Sequence, residues 1–191
     1  MDIVKLCLAH GAQKAERISV SKLVLQPDLR PLCEMNQCGR YAKNYTCPPH
    51  IGSIDVLIDK IKSASDAVVW QNVYPLEDSF DFEGMMEAQS EHNKRAVDIS
   101  RRLLEICGSS DKFLVLAAGG CCLCQPCALA ENLPCRNPQL ALSSLEAYGV
   151  NVSQISEVSG LKYINGVNTV TYFAGIFIFS NGAYAQTGPA S

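Results

Sequence analysis

The sequence predicts an α/β fold: a small mixed sheet of about four strands, with helices packed on it and cysteine-rich loops that bind metal clusters. Short β-branched runs alternate with stretches of helical period. Ten of the 191 residues are cysteines, and most of them follow predicted strands in two groups. Hydrophobic residues make up 48% of the chain, which is enough for a substantial core and argues against disorder.

The first half of the chain predicts two strands and a helix. Residues 18–25 form a β-compatible run that ends at a Gln-Pro-Asp turn. Ser53 is a cap for a helix that starts at Ile54, since apolar residues recur there at helical spacing. Ala67-Val68-Val69-Trp70 and Val73 indicate a buried strand, and Pro75 ends it.

A long helix and a strand follow. From Phe82 to Cys107 the apolar residues make one helical stripe, and Gly108 is a suitable stop. Residues 112–118 form a short apolar strand. Strand, helix and strand in this order predict a right-handed βαβ unit.

The last third predicts two helices and a central strand. Asn137-Pro138 are a good cap and first residue for a helix that runs through Tyr148 and ends at Gly149. A short helix is expected over residues 151–159, and the aromatic, β-branched run 169–180 should be a central strand. We therefore expect one α/β domain over residues 1–180 and a disordered tail over 181–191.

Composition excludes several classes of function. The chain has 16 Lys and Arg against 19 Asp and Glu, without a basic run, so we expect no nucleic-acid partner. The N-terminus lacks the features of a secretory signal, and the longest apolar stretch is far below the roughly 20 residues that span a bilayer. A cytoplasmic protein without membrane contact is expected, and there cysteines favour metals over disulfides. The oligomeric state stays open, including a homo-oligomer.

Four cysteines in the second half form the stronger group. Cys121, Cys124 and Cys127 stand at C-x2-C-x2-C, and Cys135 follows eight positions later. The run matches the first three cysteines of bacterial ferredoxin motifs, whose thiolates hold a 4Fe-4S cluster. The fourth cysteine is displaced and precedes Arg136 instead of proline, which leaves open what closes the site. Structural zinc is the alternative, although such sites usually use two separated C-x2-C pairs.

The residues beside this group suit a negatively charged cluster. Gly119-Gly120 allow a tight backbone that aims N–H groups at sulfide, although ordinary turns use glycines as well. Arg136 can offset charge. Cys122 is adjacent to a ligand and cannot readily point at the same metal, so we interpret it as a buried thiol or a spare ligand.

The first group has only three cysteines, Cys33, Cys38 and Cys47, at the looser spacing C-x4-C-x8-C. Core cysteines could give such spacing too, but the two prolines after Cys47 stiffen the loop and favour a metal site. Either a distant residue supplies a fourth ligand or one iron is left open to water or substrate. The candidates for that ligand are Cys7, Cys107 and His50. The polar residues between the cysteines either orient an anionic substrate or donate protons to it, or they are solvated loop residues; they are Arg40, Tyr41, Lys43, Asn44 and Tyr45.

With both groups in view, the chain resembles the predicted metal-binding family catalogued as domain of unknown function 2284. The resemblance implies a metalloprotein of anaerobic habitat, of iron-sulfur type, without a settled reaction. Cys7, Cys107 and Cys122 fall outside the family pattern. Glu146 lies within it, and its role is to neighbour the metal ligands, to cap a helix or to form a surface ion pair. The matching motifs are Cys33, Cys38, Cys47-Pro48-Pro49, Cys121-x2-Cys124-x2-Cys127, Cys135-Arg136-x-Pro138 and Ser144-x-Glu146-Ala147-x-Gly149-Val150-x-Val152.

Two classes of function follow. In the first, the protein holds two 4Fe-4S clusters and acts in electron transfer or in redox chemistry on a small molecule at the three-cysteine cluster. In the second, it is a non-catalytic electron carrier or assembly subunit of a larger anaerobic enzyme. The partner is a redox protein or a small-molecule substrate. A structural zinc protein is a third alternative, and the sequence leaves open whether the chain is an enzyme.

Overall fold

A computed structural model describes residues 1–180 of the chain, and the predicted disordered tail, 181–191, lies outside the described residues. Within residues 1–180, five strands form one sheet and five α-helices accompany it, with four 3-10 turns in the connections. The strands are β1 Lys14–Ile18, β2 Asp66–Pro75, β3 Phe113–Ala117, β4 Ser143–Ser144 and β5 Thr169–Ile178. The helices are α1 Ile3–Ala9, α2 Leu29–Glu34, α3 Ile54–Lys62, α4 Phe82–Cys107 and α5 Val152–Ser159.

The sheet is mixed, with strand order β1-β2-β5-β3-β4. β5 pairs antiparallel with β2 along ten residues and antiparallel with β3 on its other side. β2 and β3 therefore run in the same direction, as the predicted βαβ unit requires, but β5 lies between them. β1 is an antiparallel edge strand, and the two-residue β4 pairs parallel with β3. The predicted α/β class with a mixed sheet is confirmed, with five strands in place of about four.

Each face of the sheet carries its own core, because side chains alternate along β2. Val69 belongs to one core, which α3 and α5 cover with residues such as Ile61 and Ile155. Val68 and Trp70 belong to the other core, which α1 and α4 cover. The long β2 and β5 strands thus act as a wall between two apolar layers.

α4 begins and ends at the predicted residues. The Asp81 carboxylate caps it by accepting from the Gly84 N–H at 2.8 Å, and Gly108 adopts a left-handed conformation at its end. Ile99 and Leu103 are buried as the stripe predicts, whereas Ile106 in the last turn is 44% exposed. Within the described part of the chain, no helix combines the length and apolarity needed to cross a membrane.

The predicted strand over 18–25 is wrong. The strand lies earlier, at Lys14–Ile18, and the chain then makes the 3-10 turn Val20–Lys22. Only Ala15 and Ile18 of β1 are buried, since it is an edge strand with charged outer residues, so its apolar alternation is weak. α3 begins at Ile54 as predicted, although the side chain of Ser53 makes no cap hydrogen bond.

The predicted helix from Asn137 through Tyr148 is also wrong. The segment makes a turn, contributes Ser143–Ser144 as strand β4 beside β3, and ends in the 3-10 turn Glu146–Tyr148. Pairing with Leu116 and Ala117 of β3 replaces the local helical hydrogen bonds. The expected helix over 151–159 forms as α5, and the central strand forms as β5.

Candidate metal centre

The second cysteine group surrounds one small cavity. Cys121 follows β3 through Gly119-Gly120, and the chain returns through the 3-10 turn Ala128–Glu131. The cavity has a volume of about 20 Å³, and all four predicted ligands line it: Cys121, Cys124, Cys127 and Cys135. We call it the four-cysteine cavity. One loop and its return therefore bring together thiols that are up to 14 positions apart in the sequence.

Two residues next to Cys135 order this loop. The Asn137 side-chain amide donates to the Cys124 Sγ at 3.4 Å. The Arg136 guanidinium donates to the Pro126 carbonyl at 3.2 Å and pairs with the Glu131 carboxylate at 2.8 Å. Arg136 thus ties the two ends of the loop, and part of its charge is met by a carboxylate. Asn137 was expected to cap a helix, so its contact with a sulfur could not be read from the sequence.

The surroundings of Cys121 oppose its ionisation. The pKa of the Cys121 thiol is raised to about 11, mainly by burial; the Leu123 backbone N–H lowers this pKa, and the nearby Cys122, Cys135 and Cys124 raise it. Without a metal, neighbouring thiols with a raised pKa stay protonated and uncharged. A metal ion compensates the charge of several adjacent thiolates, because metal ligands bind in the deprotonated form. The donor set therefore fits a metal centre of thiolate type.

Cys122 is exposed, so the expectation of a buried thiol is wrong. Its Sγ donates to the Gly120 carbonyl at 3.3 Å. The side chain borders a second cavity, against α4, instead of the four-cysteine cavity.

The three cysteines of the first group also lie close to one another. Burial raises the pKa of Cys33, Arg30 lowers this pKa, and Cys38 and Glu146 raise it. Burial likewise raises the pKa of Cys47; a hydrogen bond with Asn44 lowers this pKa, and Cys38 and Cys33 raise it. Each thiol therefore lies within electrostatic reach of the others, as expected for a shared site.

Arg30 and Glu146 flank Cys33. Arg30 donates to the Gly52 carbonyl at 2.8 Å and to the Ala147 carbonyl at 3.5 Å, and its Nε is buried without a partner within residues 1–180. Glu146 is partly buried; burial raises the pKa of its carboxyl group, and a hydrogen bond with Ser144 lowers it. Within the described residues no ion pair includes Glu146, so a surface salt bridge is not its role.

Two of the three candidate fourth ligands belong to the core instead. Cys7 is fully buried in the layer under α1 and α4, and burial raises its pKa to about 12. Cys107 packs against the same layer, at the last turn of α4. It precedes β3 in the chain, whereas the two cysteine groups meet in the loop that follows β3. His50 is exposed and lies in the turn after Cys47, edge-on to the Tyr45 ring with 6.1 Å between ring centroids.

The two cysteine groups meet at Gly120. The backbone N–H of Cys121 donates to the Thr46 hydroxyl at 3.0 Å. A Cβ added to Gly120 would lie 2.7 Å from the Cys47 Sγ, so only glycine allows the loops to approach this closely. The Tyr45 hydroxyl donates to the Leu133 carbonyl at 2.8 Å and adds a further link.

This contact does not arise from two parallel strands. β1 runs opposite to β2 and hence opposite to β3, so the groups share no carboxyl edge of a parallel sheet. The loop of the first group reaches across to the end of β3 instead. Between the two loops lies a cleft of about 480 Å³, with Arg40 and Lys43 on one side and Cys121, Cys124 and Cys127 on the other.

No set of three or more His, Cys, Asp or Glu side chains within residues 1–180 is arranged to hold a single metal ion. What fits a metal centre is the chemistry of the donors. Four cysteines line one cavity, and Gly120 leaves the space in which Cys47 of the first group approaches the second group.

Comparison with known protein families identifies a family for most of the chain. The sequence profile of a family described as predicted metal-binding protein (DUF2284) matches residues 16–178, most of the chain. No curated protein and no solved structure matches.

Proposed function

We propose that this chain, which belongs to the DUF2284 family of predicted metal-binding proteins, binds two 4Fe-4S clusters, one at each cysteine group. The family is described as predicted metal-binding, and that description leaves the metal unspecified. The observation that carries the proposal is the convergence of Cys121, Cys124, Cys127 and Cys135 on one cavity. Sulfur donors only, in a C-x2-C-x2-C run, are typical of clusters of this kind.

At the second group the chain supplies four thiolates and an amide. Asn137 donates to Cys124, and hydrogen bonds to cluster-binding sulfurs are one of the means by which proteins set a reduction potential. Arg136 holds the loop closed through Pro126 and Glu131. A centre with four protein ligands suits the storage and transfer of single electrons.

At the first group the chain supplies three thiolates and positive charge. Arg30 lies beside Cys33, and Arg40 lies near enough to Cys47 to lower its pKa. Cys7 and Cys107 pack into the core, which favours the alternative without a fourth cysteine. A cluster with three cysteine ligands has an open iron, where a small molecule can bind and be oxidised or reduced.

The contact between the groups supports their working together. Gly120 lies against Cys47, and Cys121 is hydrogen bonded to Thr46. The last cysteine of the first group is therefore close to the first cysteine of the second group. We propose that electrons pass between the two sites, and that the ultimate partner is a redox protein or a small-molecule substrate.

Anaerobic purification followed by iron, sulfide and zinc counts tests the proposal. About eight irons and eight sulfides per chain are expected. Cys124→Ser and Cys38→Ser should each lower the count to about four. The matched controls are Cys122→Ser, next to a ligand, and Cys107→Ser, outside both groups; both should keep the full count.

The alternatives give different results. A colourless, zinc-loaded and iron-free protein would mean a structural zinc site and would end the proposal. A non-catalytic carrier would hold both clusters, but its cluster spectrum would not respond to small ligands such as cyanide. If Cys38→Ser retained all of its iron, the proposal of a cluster at the first group would fail, and the proposal for the second group would stand.

A further inference from the structure

We infer that a cavity between α4 and the second cysteine group binds a small organic carboxylate with an apolar body. This cavity, here called the α4 cavity, has a volume of about 340 Å³. Pockets for small molecules in proteins usually measure roughly 300–1,000 Å³ and are mostly apolar, with a few polar groups that orient the ligand. The α4 cavity is separate from the four-cysteine cavity, although Cys121 borders both.

The walls of the cavity carry both apolar and polar side chains. The α4 side presents Ser90, Lys94 and Val97, which lie on one helix face because they are spaced by four and three residues. Leu140 and Leu142 also line the cavity. A ligand would rest its apolar body between Val97 and the leucines, with its polar end toward Lys94 and Ser90.

The cavity is preformed because its two sides are tied together. The Asn93 side chain donates to the Ala118 carbonyl at 2.7 Å and accepts from the Ala118 N–H at 3.2 Å. α4 is therefore fixed to the segment that runs from β3 into Gly119-Gly120. A rigid site loses less entropy when it binds a ligand than one that must first be ordered.

The charge of the lining selects an anion. Asp98 and Arg101 both border the cavity but pair with each other at 2.7 Å. Lys94 has no acidic partner within the described residues, so its ammonium group is available to a ligand. A carboxylate on a small apolar molecule complements one free ammonium group and one serine hydroxyl above apolar walls.

The ligand would lie beside the second cysteine group. Gly120 and Cys121 form the end of the cavity, and the exposed Cys122 borders it as well. That the ligand would be close to a metal cluster rests on the proposed function, whereas binding itself depends only on the walls of the cavity.

Fluorine NMR with 4-fluorobenzoate as the probe tests the inference on the anaerobically purified full chain. The probe should bind with a dissociation constant in the millimolar range or tighter. The uncharged 4-fluorobenzyl alcohol should bind more weakly. Lys94→Gln should weaken binding of the carboxylate about threefold to fivefold and leave binding of the alcohol unchanged, since a partly solvated ion pair contributes little more. Arg102→Gln, on the same helix but outside the cavity, is the matched control.

Two further variants locate the probe. Val97→Trp fills the cavity and should abolish binding of both probes, provided that circular dichroism shows a folded protein. Leu140→Glu should repel the carboxylate and spare the alcohol. No binding of 4-fluorobenzoate up to about 10 mM, or equal binding by wild type and both variants, would overturn the inference.

The same spectra separate the site from the proposed function. If a 4Fe-4S cluster lies beside the cavity, the fluorine line of the bound probe broadens when the iron-loaded protein is reduced, because the reduced cluster is paramagnetic, and it narrows after iron removal. Binding that depends on Lys94 and Val97 but shows no iron-dependent broadening would keep the site and contradict the cluster at Cys121.

Discussion

Gly120 is the residue whose replacement tests the packing of the two cysteine loops most sharply. A Cβ there would lie 2.7 Å from the Cys47 Sγ and 3.1 Å from the Asn44 Nδ2. Ordinary van der Waals contacts between non-hydrogen atoms begin at about 3.5 Å. Cys47 and Asn44 are both buried, and the Asn44 Oδ1 accepts from the Thr46 hydroxyl at 2.8 Å, so neither side chain can swing away freely.

The size of the effect follows from this overlap. Overpacking by one methyl group in such surroundings costs about 1–3 kcal/mol. For a chain of this length, each kcal/mol lowers the melting temperature by about 2–4 °C, so Gly120→Ala should melt about 2–12 °C lower than wild type. Because the clash displaces the Cys47 sulfur, the proposed clusters also predict that the variant loses iron from the first group before the second.

Thermal unfolding followed by circular dichroism under argon, with an iron count on the same samples, measures both effects. Gly175→Ala is the matched control, because a Cβ at Gly175 meets its nearest neighbour at the ordinary distance of 3.4 Å. The control should melt near wild type or slightly above it, since alanine restricts the unfolded chain. If Gly120→Ala melts no lower than Gly175→Ala and keeps its iron, the loops do not meet as described.

Three further predictions concern stability. Burial lowers the pKa of His92 from 6.5 to about 4; the unfolded chain therefore binds the proton first, and the free energy of unfolding should fall by up to about 3 kcal/mol as the pH drops from 6.5 to 4. His92→Gln should reduce this dependence of the free energy of unfolding on pH, measured by urea denaturation at several pH values. An unchanged pH dependence would show that another group titrates. Asn93→Ala removes both hydrogen bonds to Ala118 and should cost about 2 kcal/mol in urea denaturation; a loss below about 0.5 kcal/mol would contradict the described link between α4 and β3. Arg136→Met removes the ion pair with Glu131, whose side chains are 44% and 46% exposed, and the hydrogen bond to the Pro126 carbonyl. Because these contacts are open to solvent, the free energy of unfolding should fall by less than about 1 kcal/mol, and a larger loss would contradict the weak contribution expected of an exposed pair.

Much of the fold follows from local patterns in the sequence. α4 has a clear apolar stripe and a glycine at its end, and the β-branched run at Thr169–Ile178 is a central strand because it is apolar on both faces. The local sequence pattern of such elements is sufficient to predict them. β1 has no clear pattern, since it has only two buried residues and lies at the edge of the sheet.

Other features depend on contacts between distant segments. Asn137-Pro138 is a good start for a helix, but pairing of Ser143–Ser144 with β3 and the contact of Asn137 with Cys124 override that local preference. The meeting of the two cysteine groups at Gly120 likewise joins segments more than 70 positions apart. No periodicity in a sequence reports such a contact, although the paired glycines did mark where the backbone had to be tight.

Electron paramagnetic resonance of the fully reduced protein tests the central claim most directly. Two 4Fe-4S clusters held by loops in contact should give about two spins per chain, with the line broadening that neighbouring paramagnets impose on each other. Cys38→Ser should leave one sharp signal of about one spin, while Cys107→Ser keeps the broadened spectrum. A silent spectrum from a protein that contains zinc and no iron, or two signals without mutual broadening, would contradict a pair of adjacent clusters.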